Sequence, residues 1–228
     1  MPKVKMPRST PALDMTPMVD LAFLLVTFFM LTSSFRAPEP VLVDPPTSTT
    51  DVLIPKQVFL ATIDEKGRVF IDITNNNVKI KVLKKLLKSR KLSAMSEEDL
   101  KKFAGVGPIG ISVKELATFM EMESNERTAY SESAKGIPYD TAESKIGQCE
   151  LYEWALETRL EAHNDYKERE EEAKLKNMEF DKSNYIQFAI KADGKAPYKV
   201  VQSIINVLRE AKVKNFQMIT GLESSPTK

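Results

Sequence analysis

The chain has 228 residues, with 33 Lys and Arg set against 32 Asp and Glu, one His and a formal charge of +1. That balance excludes nucleic-acid binding by bulk attraction. One Cys and one His exclude a metal cluster built on those ligands and an intrachain disulfide, so no cofactor is expected. A hydrophobic content of 42% suffices for a packed core of one or two domains, and 29% charged residues put much of the chain in water. There is no Gly-rich phosphate loop, G-x-S-x-G elbow or carboxylate pair at catalytic spacing, so no enzyme chemistry is read. Cys149 is either a quiet helical thiol or a link between two chains.

The first element is the longest apolar run, Met18 to Phe35, preceded by a tail at residues 1–17 that carries Lys3, Lys5 and Arg8. Eighteen residues at helical rise reach roughly 27 Å, enough for a bilayer core with little tilt. Thr16-Pro17 fits a helix start, with Thr16 as cap and Pro17 at the first helical position. No small-x-small cleavage site closes the run, so an uncleaved anchor is expected rather than a signal peptide. The excess of Lys and Arg before the span places the amino terminus in the cytoplasm and the remaining residues across the membrane.

One acid, Asp20, interrupts this run about one turn in. A carboxylate there costs about 2.5–3.5 kcal/mol on insertion, a cost that a pure anchor has no reason to carry. Asp20 is therefore the first candidate functional residue. Enclosure away from water favours its neutral form, and the amino end of the helix favours the charged one. The opposing reading is a carboxylate that snorkels to cytoplasmic water. Thr27 lies two turns further along nearly the same face. Its hydroxyl either serves a polar pathway with Asp20 or bonds its own helix backbone.

A linker follows at residues 36–56, with Pro38, Pro40, Pro45, Pro46 and Pro55 around Thr47-Ser48-Thr49-Thr50. This composition favours an extended, poorly packed tether. Within it Val41, Leu42 and Val43 form a short strand candidate that pairs with itself in a dimer or with a partner.

A small α+β domain is expected from two segments, 57–91 and 184–221, with a mostly helical insertion at 92–183 and a tail at 222–228. Gln57–Ile63 and Arg68–Thr74 read as strands joined by the Asp64–Gly67 loop. Val78, Val82, Leu83, Leu86 and Leu87 read as one helix face, with Lys79, Lys81, Lys84, Lys85 and Lys88 facing water. In the insertion, Ser96 caps a helix that Gly105-Val106-Gly107-Pro108 breaks. From Ser144 to about Met178 a long helix carries Cys149, Tyr152, Leu156, Leu160, His163 and Tyr166 as its stripe, supported by Asp165–Arg169, Glu170–Lys174 and Glu172–Lys176 pairs. Ile186, Phe188 and Ile190 alternate as a strand, and Ala192-Asp193-Gly194 turns the chain. A helix from Pro197 carries Tyr198, Val201, Ile204, Ile205 and Leu208, and Phe216–Thr220 is a last strand.

Two runs carry a resemblance. Leu13-Asp14-Met15-Thr16-Pro17-Met18-Val19-Asp20, continuing into Leu21–Val26, resembles the ExbD/TolR family of proton-motive-force transducers, most of all ExbD. Ala192-Asp193-Gly194 with Tyr198-Lys199-Val200-Val201 is similar to that family's carboxy-terminal part. The resemblance implies a single-pass protein of the bacterial inner membrane with a periplasmic domain. It implies a homodimer, in contact with membrane lipid, inside a ring of a multi-pass subunit resembling ExbB or TolQ. Asp20 would then take up and release protons as the coupling ion, and a TonB-like periplasmic partner would receive the motion. The insertion, and Ala211-Lys212-Val213 where the family usually has a glycine, depart from the pattern. Two other outputs stay open: a TolR-like or gliding/secretion motor, and a non-conducting tether that binds peptidoglycan.

Overall fold

The structure, a computed structural model, describes residues 15–32, 43–48, 55–139, 149–176 and 185–222. The chain divides into two compact units, Met1–Ala37 and Pro38–Lys228. In the first, α1 runs from Thr16 to Thr32, 17 residues without a charged residue in its first or last turn. Among the described residues no helix is long and apolar enough to cross a membrane. Residues 33–35 of the expected span lie outside the described residues.

The second unit is α+β. Its strands are β1 (Thr47–Ser48), β2 (Val58–Ile63), β3 (Val69–Ile73), β4 (Gln187–Ala192), β5 (Phe216–Ile219) and β6 (Gly221–Leu222). Its helices are α2 (Asn76–Ser89), α3 (Glu97–Ala104), α4 (Val113–Glu121), α5 (Ser124–Ser133), α6 (Glu150–Leu175) and α7 (Tyr198–Glu210). Four strands form a mixed sheet in the order β3-β2-β4-β5, with β3 antiparallel to β2 and both other pairs parallel. Register aligns Ile73, Phe59 and Phe188, then Ile71, Ala61 and Ile190, then Val69, Ile63 and Ala192, across one face. Period-2 alternation of β-branched and aromatic residues thus produces a continuous apolar face. The α2 residues Val82 and Leu83 and the α7 residues Ile204 and Leu208 join it in the core.

Local chemistry sets the turns. Asp64 and Gly67 close the β2–β3 hairpin, where the Gly67 amide donates to the Asp64 carbonyl at 3.0 Å and Gly67 takes φ +77°. Asn75 caps α2 by accepting from the Asn77 and Val78 amides. Ser96 caps α3 as the sequence reading expects.

The helices between β3 and β4 share the sheet's core: Phe103, Leu116, Trp154 and Ala155 belong to the same buried cluster as Phe59 and Ile71. Loops from this region also cover the outer edge of β3. Ile71 and Ile109 exchange two backbone hydrogen bonds, of 2.9 and 2.7 Å, and the Ile137 amide donates to the Val69 carbonyl at 2.8 Å. An edge strand that would otherwise offer open backbone groups is thereby closed. Gly110 permits the close approach, since a Cβ there would fall 2.2 Å from the Phe70 ring.

Four sequence expectations need correction. Lys79 does not face water: it is 1% exposed, and its ammonium donates to the Val106 carbonyl at 2.6 Å and lies over the Phe103 ring. Of the expected α6 stripe, Cys149, Tyr152 and Leu156 do pack on the core, but Leu160 and His163 are exposed and the buried face continues through Leu151, Trp154, Ala155, Thr158, Glu161, Ala162 and Asp165. That helix starts at Glu150, and residues 144–148 lie outside the described ones. Tyr198 is 76% exposed and no part of the α7 stripe. Finally, the described part of the linker, Val43–Ser48, is docked: β1 pairs in parallel with β6, and Val43 is buried.

Candidate functional site

Asp20 is the fifth residue of α1, so its Cβ projects about one turn inside the amino end. Thr16 lies one turn before it and the helix neighbours after it are apolar, and Met18, Val19, Leu21, Phe23, Leu24, Leu25, Val26 and Phe28 are each more than half exposed. A mostly apolar helix with no buried residue of its own is built to be covered by other apolar surface. Among the described residues Asp20 has no hydrogen-bond or ion-pair partner. The carboxyl is thus the only ionisable side chain of α1.

The hydroxyl of Thr27 donates to the Leu24 carbonyl at 2.9 Å, and that of Thr32 donates to the Phe28 carbonyl at 2.8 Å. Such back-bonding satisfies a hydroxyl inside an apolar helix. It leaves the Thr27 oxygen lone pairs open to a further donor.

In the second unit, Val41 and Leu42 of the linker strand lie outside the described residues, and Val43 is buried. What holds this segment was missed by sequence reasoning, which took Ala192-Asp193-Gly194 as a turn alone. The Asp193 carboxylate accepts from the Lys195 amide at 2.8 Å and from the Asp44 amide at 3.1 Å. The Gly194 amide in turn donates to the Asp44 carbonyl at 2.9 Å, and the Gly221 amide to the Pro46 carbonyl at 3.0 Å. Hydrogen bonds from the Lys195 and Asp44 amides hold the Asp193 carboxyl below the usual carboxylate range. The only sequence signal for this dock is the Asp-Gly pair, whose carboxylate has more acceptor capacity than one turn uses.

A family model described as "Biopolymer transport protein ExbD/TolR" matches residues 6–122, just over half of the chain. The chain belongs to the ExbD/TolR family. Searches of curated proteins and of solved structures return no match. The matched range holds α1 with Asp20 and Thr27, the linker, and the β2–β3–α2 segment. It also takes in α3 and α4, which the sequence reading assigned to the insertion. Residues 184–221 fall outside it. Membership in the ExbD/TolR family places the chain in membrane-associated biopolymer transport, where family proteins work in complexes with partner proteins and not as enzymes.

Proposed function

We propose that this ExbD/TolR protein is an ExbD-like subunit of a proton-driven motor in the bacterial inner membrane. In this reading the segment at residues 18–35 spans the bilayer with its amino end in the cytoplasm. Two copies lie inside a ring of an ExbB- or TolQ-like subunit. Asp20 carries the coupling proton, and the second unit passes the motion to a TonB-type partner in the periplasm. The observation that carries the reading is a single carboxyl in a helix whose only other polar side chains are Thr16, Thr27 and Thr32, within the family-matched range.

The mechanism follows from solvation. A neutral carboxyl can face an apolar wall, whereas a carboxylate must find water or a polar partner. Alternation between these states on two helices in one ring changes which face each helix prefers, and so drives a displacement of the pair. Thr27, two turns further in, offers oxygen lone pairs to a protonated carrier along the same face.

Asp20→Asn tests it. The amide keeps the shape and removes the titration, so the variant is expected to co-purify with the ring protein at wild-type levels and to lose proton uptake and transport. Transport at the wild-type rate in Asp20→Asn would remove the reading. Replacement of residues 18–35 by an inert membrane helix separates motor from tether. A motor loses transport on this exchange, and a tether binding peptidoglycan keeps its function.

A further inference from the structure

A cavity of about 660 Å³ opens in the second unit beside the amino ends of β4 and β5. It is walled by the middle of α6, the chain entering β4, and the connection from α7 into β5. These segments are far apart in sequence, which is why no motif announced the site. Three permanent cations line it, Arg159, Lys212 and Lys214, and no carboxylate does. Tyr185 and Phe216 supply apolar wall, and Gln187 and Gln217 are joined there by a 3.2 Å hydrogen bond.

The charge is unusual for this fold. Elsewhere cations on α2 and α6 face acids: Lys81 meets Glu168, Lys84 meets Glu97, Lys85 meets Glu161 and Arg169 meets Asp165. Among the described residues, none of the three cavity cations has an ion pair. The Nε of Arg159 is also buried without a hydrogen-bond acceptor. A buried guanidinium donor left open is costly, and like charges around one cavity add to that cost. Both costs fall when an oxyanion enters.

Lys212 is held in place by backbone geometry. It stands at φ +58° immediately after α7, where the Val213 amide donates to the Leu208 carbonyl and the Lys212 amide to the Arg209 carbonyl. This is the position where a helix end prefers glycine. Lys91 ends α2 in the same way, at φ +53°, so the geometry reports a helix stop and the charge is the separate feature.

We propose that this cavity binds a carboxylate carried on an apolar or aromatic body, with Arg159 as the paired donor and Lys212 and Lys214 as flanking charges. A guanidinium offering its two Nη groups matches a carboxylate with two parallel bonds. The carboxyl end of α7 carries partial negative charge beside Lys212, which favours a single charge over a doubly charged phosphate. The volume fits a small organic acid or the last residues of a peptide.

The test uses the full chain in detergent, with binding measured by calorimetry and the Arg159 Nε–H followed by NMR. The probes are hippurate, its uncharged amide, inorganic phosphate, and a Gly-Gly-Ala-Phe peptide with either a free or an amidated carboxyl terminus. Hippurate or the free-acid peptide is expected to bind saturably and to shift the Arg159 signal, while the amides do not. Binding of hippurate alone assigns a small-molecule source, and binding of the peptide alone assigns a chain terminus. Arg159→Gln should weaken binding at least about tenfold, the loss of one charge-assisted hydrogen bond. Lys212→Gly removes a charge at a position that accepts glycine, so it should weaken binding with the melting temperature unchanged or raised. The proposal is overturned if acid and amide bind equally, if phosphate binds more tightly than either acid, if both variants bind as wild type, or if no probe binds in the millimolar range.

Discussion

Glu150 shows how much one side chain fixes in this fold. It is 3% exposed, and its carboxylate accepts from the Val113 amide at 2.6 Å, the Ser112 hydroxyl at 2.8 Å and the Arg90 guanidinium at 3.3 Å. Ser112 stands at the start of α4 but makes no side-chain cap of its own. Glu150 therefore caps α4 from across the fold while sitting in the first turn of α6. Both helix amino ends favour its negative charge. Glu150→Ala leaves the Val113 amide and one Arg90 bond without an acceptor, a buried network broken on one side. The expected loss is about 3 kcal/mol in urea unfolding of the full chain. Glu150→Gln keeps an acceptor and loses the charge, so about 1–2 kcal/mol is expected. A loss below about 0.5 kcal/mol for the alanine variant would mean that the cap is made by other groups.

At the scale of elements, the seam between α2 and α6 separates what was readable from what was not. Lys81 donates to Glu168 at 3.0 Å and Lys85 to Glu161 at 2.6 Å, and Lys85 also pairs with Glu157 at 3.3 Å. The hydrogen bond to Glu161 raises the Lys85 ammonium above its ordinary value, and that to Glu168 does the same for Lys81. Glu161 is nearly buried and Lys85 about half exposed, which screens the pair. A double-mutant cycle of Lys85→Ala and Glu161→Ala is expected to give a coupling of about 0.5–1 kcal/mol, reduced in high salt. Zero coupling at low salt would mark the pair as a surface contact without weight. Each of these helices, read alone, has a charged face that looks solvated. Their partners lie between 72 and 87 residues apart in sequence, beyond the reach of any local pattern. The same blindness misplaced the α6 stripe, because Thr158, Glu161 and Asp165 are polar yet buried. Elements whose partners are close in sequence were legible: the β2–β3 hairpin from its Asp-x-x-Gly loop, α2 from its apolar spacing, β4 from its alternation. Of the candidate site, Asp20 was legible because an acid in an apolar run needs no partner to be noticed. The Asp44–Asp193 dock was not, since its two halves lie 149 residues apart.

For the molecule as a whole, that dock attaches residues 43–48 of the linker to the second unit. In the proposed reading the second unit passes on motion that begins at α1, and the linker is the chain that joins them. The residues from Val43 to Ser48 are held by the Asp193 carboxylate, the Gly194 and Gly221 amides, and the short β1–β6 pairing. The Asp193 carboxyl is depressed in the folded state by the Lys195 and Asp44 amides. Its contribution is therefore complete above the unfolded aspartate value, about 3.9, and is lost as pH falls through the lower folded value. At neutral pH the dock does not respond to small pH changes. In acid the Asp44 amide loses a charged acceptor, and Val43–Ser48 is expected to exchange amide protons faster than β2 or β4. Hydrogen exchange followed by mass spectrometry on the full chain, between pH 6 and pH 3 and corrected for intrinsic rates, measures this. Asp193→Asn keeps one carbonyl acceptor without the charge, so it should raise exchange at residues 43–48 at pH 6 and flatten the acid response. If residues 43–48 are as protected in Asp193→Asn as in the wild type at pH 6, the parallel β1–β6 pairing and the Gly194 bond hold the linker without the Asp193 charge.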